Sequence, residues 1–152
     1  MVDCRIIEKL PSAAEYNHLR ALVGWGVYQE DVIDRFLPNS LYCVCAFMGA
    51  EIVGMARIIG DGGMVYYIQD VIVKPEYQRQ SIGSQLMDKI MTYIQTHAHH
   101  NTIVGLLSAK GKESFYEKYG FISRPNDKLG CGMNIFWRQE LPISTPREET
   151  GQ

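Results

Sequence analysis

The apolar positions of this chain change period several times, and each change marks an element. Arg5 to Leu10 is short and rich in Ile, which predicts a first strand that Pro11 stops. Ser12-Ala13-Ala14-Glu15 has the pattern of a capping box, so a helix is expected to about Val23, with Tyr16, Leu19, Leu22 and Val23 on its buried side. Gly24-Trp25-Gly26-Val27-Tyr28 breaks that helix, and Glu30 to Asp34 predicts a second, short one. Leu41 to Met48 is apolar on both alternating faces, as a buried strand requires. Gly49-Ala50 suits a type II′ hairpin turn, Glu51 to Ile59 returns, and Met64 to Val73 follows the turn Gly60-Asp61-Gly62-Gly63 as a third antiparallel strand. Pro75 ends this meander.

From Ile82 the period becomes helical: Leu86, Met87, Ile90, Met91 and Ile94 share one face, and Gln85, Asp88, Lys89, Thr92 and Gln95 face away. Thr102 to Leu107 is again strand-like. A helix separates it from the previous strand, so the two are expected to lie parallel in a βαβ unit. Lys112 to Tyr119 predicts a short helix closed by Gly120, and Phe121 onward with Asn134 to Trp137 predicts a final hairpin. No internal repeat interrupts this order, so residues 1–138 are expected to form one domain of α/β (α+β) class. The polar, Pro-containing tail, residues 139–152, is expected to be mobile.

Charge and composition narrow the function classes. The net charge of −2 supplies no basic field for nucleic acid. No apolar run reaches the roughly 20 residues that span a bilayer, and MVDCRIIEKL lacks the charged and apolar regions of a signal peptide, so neither nucleic acid nor membrane is an expected partner and a cytoplasmic protein is expected. Cys4, Cys43, Cys45 and Cys131 show no C-x-x-C spacing and read as free thiols, Cys43 and Cys45 on one face of a strand. His97, His99 and His100 read as solvated residues near a helix end rather than as metal ligands, because no matching carboxylate or cysteine set accompanies them.

The informative chemistry lies in Ile68 to Gln95, where an apolar strand enters the long helix through Gln78-Arg79-Gln80-Ser81-Ile82-Gly83-Ser84. A helix entered through small residues offers unpaired backbone N–H groups and the positive end of its dipole to an anion. The Gln78-x-x-Ser81-x-Gly83 turn and the Phe115-Tyr116-Glu117-Lys118-Tyr119-Gly120-Phe121 run, in this order and after a meander, resemble the signatures of the GNAT superfamily of acyl-CoA-dependent N-acetyltransferases. The resemblance covers most of residues 4 to 137. The strand from Ile68 to Val73 also looks like that of glucosamine-phosphate N-acetyltransferases within the superfamily.

That resemblance implies a GNAT-type fold, with a mixed, mostly antiparallel sheet, helices on both faces and a central βαβ coenzyme-binding unit. It implies acetyl-CoA as cosubstrate, no metal, and acetyl transfer to a primary amine of a small molecule by direct attack through a tetrahedral intermediate. A protein or peptide N-acetyltransferase and a non-catalytic acyl-CoA-binding module are the alternatives. The coenzyme pyrophosphate is expected on Gln78, Arg79, Gln80, Ser81, Ile82, Gly83 and Ser84, and the pantetheine arm along Val71, Ile72 and Val73, with Lys112 near the coenzyme's lower arm. Ser81 stands where the family has Gly, which asks for an ordinary backbone angle or a wider cradle. Tyr116 matches the tyrosine that protonates the departing thiolate. Gln69 occupies the position of a common glutamate base and cannot serve as one, which leaves water-relayed deprotonation with Asp70, on the opposite face of the strand, as a weak candidate. Trp25, Tyr28, Gln69 and Arg124 are the candidate acceptor-binding residues. Family habit also makes a homodimer an expectation.

Overall fold

The structure is a computed structural model that describes residues 3–138. The chain divides into two compact units, Met1–Phe121 and Ile122–Gln152. In the first unit the order is β1 (Cys4–Glu8), α1 (Ala13–Leu22), α2 (Glu30–Phe36), β2 (Tyr42–Met48), β3 (Glu51–Gly60), β4 (Val65–Val73), α3 (Ile82–His97), β5 (Ile103–Gly105) and α4 (Glu113–Glu117). The capping box at α1 forms as the sequence predicts: the Glu15 N–H donates to Ser12 Oγ at 3.1 Å and the Ser12 N–H to Glu15 Oε2 at 2.8 Å.

The five strands lie in sequence order, antiparallel from β1 to β4 and parallel between β4 and β5. Their alternation gives the sheet two buried faces. Val44, Ala46, Ala56, Ile58, Tyr66 and Ile68 pack under Ile82, Leu86, Met87, Ile90 and Ile94 of α3. At about 1.5–3 kcal/mol for each fully buried apolar side chain, this stripe fixes α3, and with it the loop at its start. Gly54 allows the close approach, since a Cβ there would lie 2.8 Å from the Ile72 carbonyl oxygen and 3.2 Å from Leu86 Cδ1. The other face, Cys43, Cys45, Phe47, Met55 and Ile72, is covered by Ala13, Tyr16 and Leu19 of α1 and Ile33 of α2. Cys43 and Cys45 thus share one buried face, and all four cysteines are unpaired.

Two irregularities in β4 position the site. Met55 pairs with Ile72 and Arg57 with Gln69, so Ala56 stands opposite both Asp70 and Val71 in a β-bulge, with Asp70 at φ 55°. The bulge turns Asp70 onto the same face as Gln69, toward α1, which corrects the opposite faces expected from strict alternation. The parallel ladder to β5 spans only Val65, Tyr66 and Tyr67, so among the described residues the β4 edge from Ile68 to Val73 has no strand beside it on that side. A parallel pair that parts in mid-strand leaves main-chain groups free for another extended partner.

Several predicted elements are shorter than their pattern. The final parallel strand is three residues, and α4 ends at Glu117 with Gly120 at φ 91° closing it. On α1, Arg20 rather than Leu22 faces inward, because Asp70 attracts its charge; Leu22 is 39% exposed. In the second unit the expected hairpin is absent: residues 122–138 hold neither strand nor helix. Asn126 instead closes a local turn, its side-chain oxygen accepting from the N–H groups of Lys128 and Leu129, and Gly130 and Gly132 interrupt the alternation a ladder needs. The tail from Gln139 lies outside the described residues.

Candidate active site

The loop into α3 is built from backbone. Arg79 and Ser81 adopt φ of 61° and 65° with Gln80 between them at negative φ, an alternation that turns successive N–H groups to one side. The first turn of α3 closes with the Gln85 N–H on the Ser81 carbonyl at 3.0 Å, so the amides of Ile82, Gly83 and Ser84 precede the helix ladder. Ser81 therefore takes the glycine-type conformation despite its side chain, rather than the ordinary angle or wider cradle expected, and its hydroxyl caps nothing. The Gln78 side chain donates to the Val73 carbonyl at 3.0 Å and that of Gln80 to the Glu76 carbonyl at 3.2 Å, which hold the loop to the end of β4.

Tyr116 lies on α4 against the α3 side of the sheet, with Phe115 and Phe121 edge-on at 5.0 and 6.2 Å between ring centroids. Burial pushes its phenol up to about 12, so it keeps its proton throughout the neutral range. Phe115 and Tyr119 form the expected pair, 5.7 Å apart, and the Tyr119 hydroxyl donates to the Ser84 carbonyl at 3.3 Å, tying α4 to the start of α3. Lys112 stands exposed at the N-cap position of α4.

On the α1 side, a cleft of about 400 Å³ is lined by Tyr16, Arg20, Tyr28, Val32, Phe36, Asn39, Arg57, Ile59 and Gln69. Beneath it lies a buried charge network centred on Asp70, which is 3% exposed. Its carboxylate accepts from Tyr16 Oη at 2.7 Å, Arg20 Nη1 at 2.6 Å, Arg57 Nε at 2.7 Å and Gln69 Nε2 at 3.3 Å. Burial and the adjacent Asp70 charge push the Tyr16 phenol upward. Burial opposes the Arg57 charge, but the hydrogen bond and charge of Asp70 outweigh it and raise its pKa. Arg20 also donates to the Gly26 carbonyl at 2.7 Å and is surrounded by the rings of Tyr16, Trp25 and Tyr28 at 5.3–5.6 Å.

Of the sequence-predicted acceptor residues, Tyr28 and Gln69 line this cleft. Trp25 does not; its ring packs on Arg20, whose backbone carbonyl also accepts the Trp25 N–H at 2.9 Å. Arg124 belongs to the second unit. Tyr16, Arg20, Arg57 and Asn39 join the site without having been singled out by the sequence. Arg57 carried a signal, since a charge inside the apolar run Ile52 to Ile59 must be paired when buried.

Residues 21–134 match the acetyltransferase (GNAT) domain family. The chain belongs to that family. It is an acyltransferase of the GNAT N-acetyltransferase type. Among its relatives is a protein named uncharacterized N-acetyltransferase ycf52 from the alga Pyropia yezoensis, 31% identical over 127 residues that make up 81% of this chain and 70% of the relative. A solved structure of a probable acetyltransferase from meticillin-resistant Staphylococcus aureus superposes with a TM-score of 0.82 at 31% identity, covering 89% of this GNAT chain and all of the other. A GNAT family acetyltransferase from Brucella melitensis, solved in complex with acetyl-CoA, shares the fold at 19% identity and a TM-score of 0.61, over 81% of this chain and 85% of that one.

Proposed function

We propose that this enzyme transfers the acetyl group of acetyl-CoA to a primary amine of a small molecule, by direct attack on the thioester. The observation that carries the reading is the position of β4 between two openings. Its unpaired edge runs from Ile68 to Val73 into the amides at the start of α3, and its Gln69 side chain enters the cleft under α1 and α2. Acetyl-CoA as donor also draws support from the related fold solved with it.

In this reading the pyrophosphate lies on the amides from Arg79 to Ser84, where each charge–dipole contact is worth about 0.3–1 kcal/mol, so several must converge. The pantetheine arm pairs with the main chain of Val71 to Val73, and Lys112 meets phosphate from its exposed turn. The Val73 carbonyl already accepts the Gln78 side chain, which leaves Val71 the freer partner. The amine attacks the carbonyl carbon, the tetrahedral intermediate collapses, and Tyr116 donates its proton to the departing sulfur. The fit of the site to the coenzyme rests on those amides and that open edge.

Asp70 serves in this reading as a positioning residue, because both its oxygens are committed to donors. The amine proton then leaves to water. For an amine of pKa about 10.4 the neutral form costs roughly 4.6 kcal/mol at pH 7, whereas one near 8 costs about 1.4 kcal/mol, so amines of low pKa are the better acceptors. A cleft of about 400 Å³ favours a small molecule over a peptide chain. Four unpaired thiols fit a reducing compartment such as the cytosol. Among the described residues no helix is long and apolar enough to cross a membrane.

Free-thiol release from acetyl-CoA over a panel of small amines and peptides tests the proposal. Turnover is expected with small amines and to rise as amine pKa falls within a series. Turnover with peptides alone would replace the acceptor class, and coenzyme binding without turnover on any member would replace catalysis by binding.

A further inference from the structure

Two guanidinium groups that line the cleft share one buried carboxylate, Asp70. Arg20 and Arg57 are 9% and 6% exposed, and both line the cleft. Arg20 directs Nε to Gly26 and Nη1 to Asp70; Arg57 directs Nε to Asp70 and Nη1 to Ser40 Oγ at 3.2 Å. Arg20 Nη2 has no hydrogen-bond acceptor among the described residues, whereas the Arg57 guanidinium also bonds the Tyr16 side chain. Among the described residues no buried polar side-chain atom is left without a partner, so Arg20 Nη2 lies where solvent or a ligand reaches it. No carboxylate is among the described residues that line the cleft; Glu30, Asp31 and Asp34 of α2 are exposed, while Val32 and Phe36 face in.

We infer that the amine acceptor carries an anionic group, a carboxylate or a phosphate, held by Arg20 and Arg57. This rests on the cleft being the acceptor's site. One net positive charge at the cleft disfavours a purely cationic amine and is compensated by an acceptor with its own anion. The arginines are also preorganised. Tyr16, Trp25 and Tyr28 surround one, Tyr16 and Phe36 flank the other at 5.9 and 5.5 Å, and Asp70 fixes both, so little side-chain freedom is lost on binding.

Two measurements separate this inference from acetyl transfer itself. The first uses no turnover: inorganic phosphate and acetate are titrated separately into the protein while the Arg20 and Arg57 Nε–H NMR signals are followed. Saturable shifts of these two signals are expected, and the tighter anion identifies phosphate or carboxylate as the recognised group. Asp70→Asn, which leaves both guanidinium charges without their carboxylate, should bind that anion several-fold more tightly, a direction that misfolding does not produce. Should it fail to fold, Arg20→Lys, which keeps the charge and loses the fork, should bind several-fold more weakly with coenzyme affinity unchanged. Flat signals with both anions, or unaltered affinity in a folded variant, overturn the anion site.

The second compares kcat/KM for matched amines: O-phosphoethanolamine against ethanolamine, and β-alanine against its amide. The anionic member of at least one pair should be favoured by about ten-fold or more, roughly 1.4 kcal/mol. Equal turnover within every pair overturns the anion site and leaves acetyl transfer standing. Anion binding without turnover on any member upholds the site and counts against acetyl transfer.

Discussion

The loop into α3 and the cleft under α1 lie at two sides of the same strand and are made of different material. The loop is seven consecutive residues whose useful groups are backbone amides, and even Gly83 is not sterically required: a Cβ there would meet Phe115 Cζ at 3.5 Å and Val73 Cγ2 at 3.8 Å, ordinary contacts. The cleft is made of side chains brought together over long separations. Asp70 joins Tyr16 across 54 residues, Arg20 across 50 and Arg57 across 13, and all four are buried. A backbone site spreads its binding over many weak contacts and tolerates side-chain change. A buried charge network concentrates its energy in one group whose loss strands the others.

The largest effect should therefore come from Asp70. Asp70→Ala leaves two buried guanidinium charges and the Tyr16 hydroxyl without their acceptor, and is expected to destabilise the fold by about 3–5 kcal/mol in urea unfolding. At about 2–4 °C per kcal/mol for a chain of this size, the melting temperature should fall by roughly 6–20 °C. Coenzyme affinity of the folded fraction, read by calorimetry, should stay within a few-fold of the parent. If affinity collapses with stability, the two regions are one cooperative unit and the contrast fails.

Tyr116 tests whether the chemistry lies with the side chains as well. Tyr116→Phe keeps the ring packing against Phe115 and Phe121 and removes only the hydroxyl, so turnover should fall about 100-fold or more with coenzyme affinity nearly unchanged. Unchanged turnover would remove Tyr116 from the mechanism. The pH profile sharpens the same point. The folded phenol titrates at about 12, above the ordinary value near 10, so the protonated form is favoured in the native state. Its contribution to stability is complete below pH 10 and is lost as pH rises through 12. A donor with that pKa produces no falling limb in kcat below about pH 10, and only the rising limb of the amine should be seen. A falling limb between pH 8 and 9 that disappears in Tyr116→Phe would show a phenol far more acidic than its burial implies.

The contrast also explains what could be read from the residues alone. The meander, α3 and the loop into it were legible because each depends on local periodicity or on a contiguous motif. The capping box at Ser12 was legible for the same reason. The Asp70 network was not, because a bulge set by pairing between β3 and β4 turns Asp70 to the face of Gln69, and strict alternation places it on the other. Arg20 carries no local signal, because its partner Asp70 lies 50 residues away in the chain. The hairpin expected after Phe121 failed differently: alternation in Asn134 to Trp137 says that a strand is compatible with the sequence, not that a neighbouring edge exists to receive it.

The smallest effect is the one that tests the backbone side most directly. Ser81 holds φ 65°, where a Cβ is strained by about 1–2 kcal/mol, and glycine relieves that strain at a cost of about 0.5–1 kcal/mol in unfolded-chain entropy. Ser81→Gly should therefore raise stability by about 0–1.5 kcal/mol, a shift of at most a few degrees in melting temperature. Because the hydroxyl caps nothing in α3 and the amides keep their direction, acetyl-CoA affinity should remain within a few-fold. An affinity loss of about ten-fold or more would mean that the Ser81 hydroxyl donates to phosphate, which would put a side chain among the donors of the loop and end its contrast with the cleft.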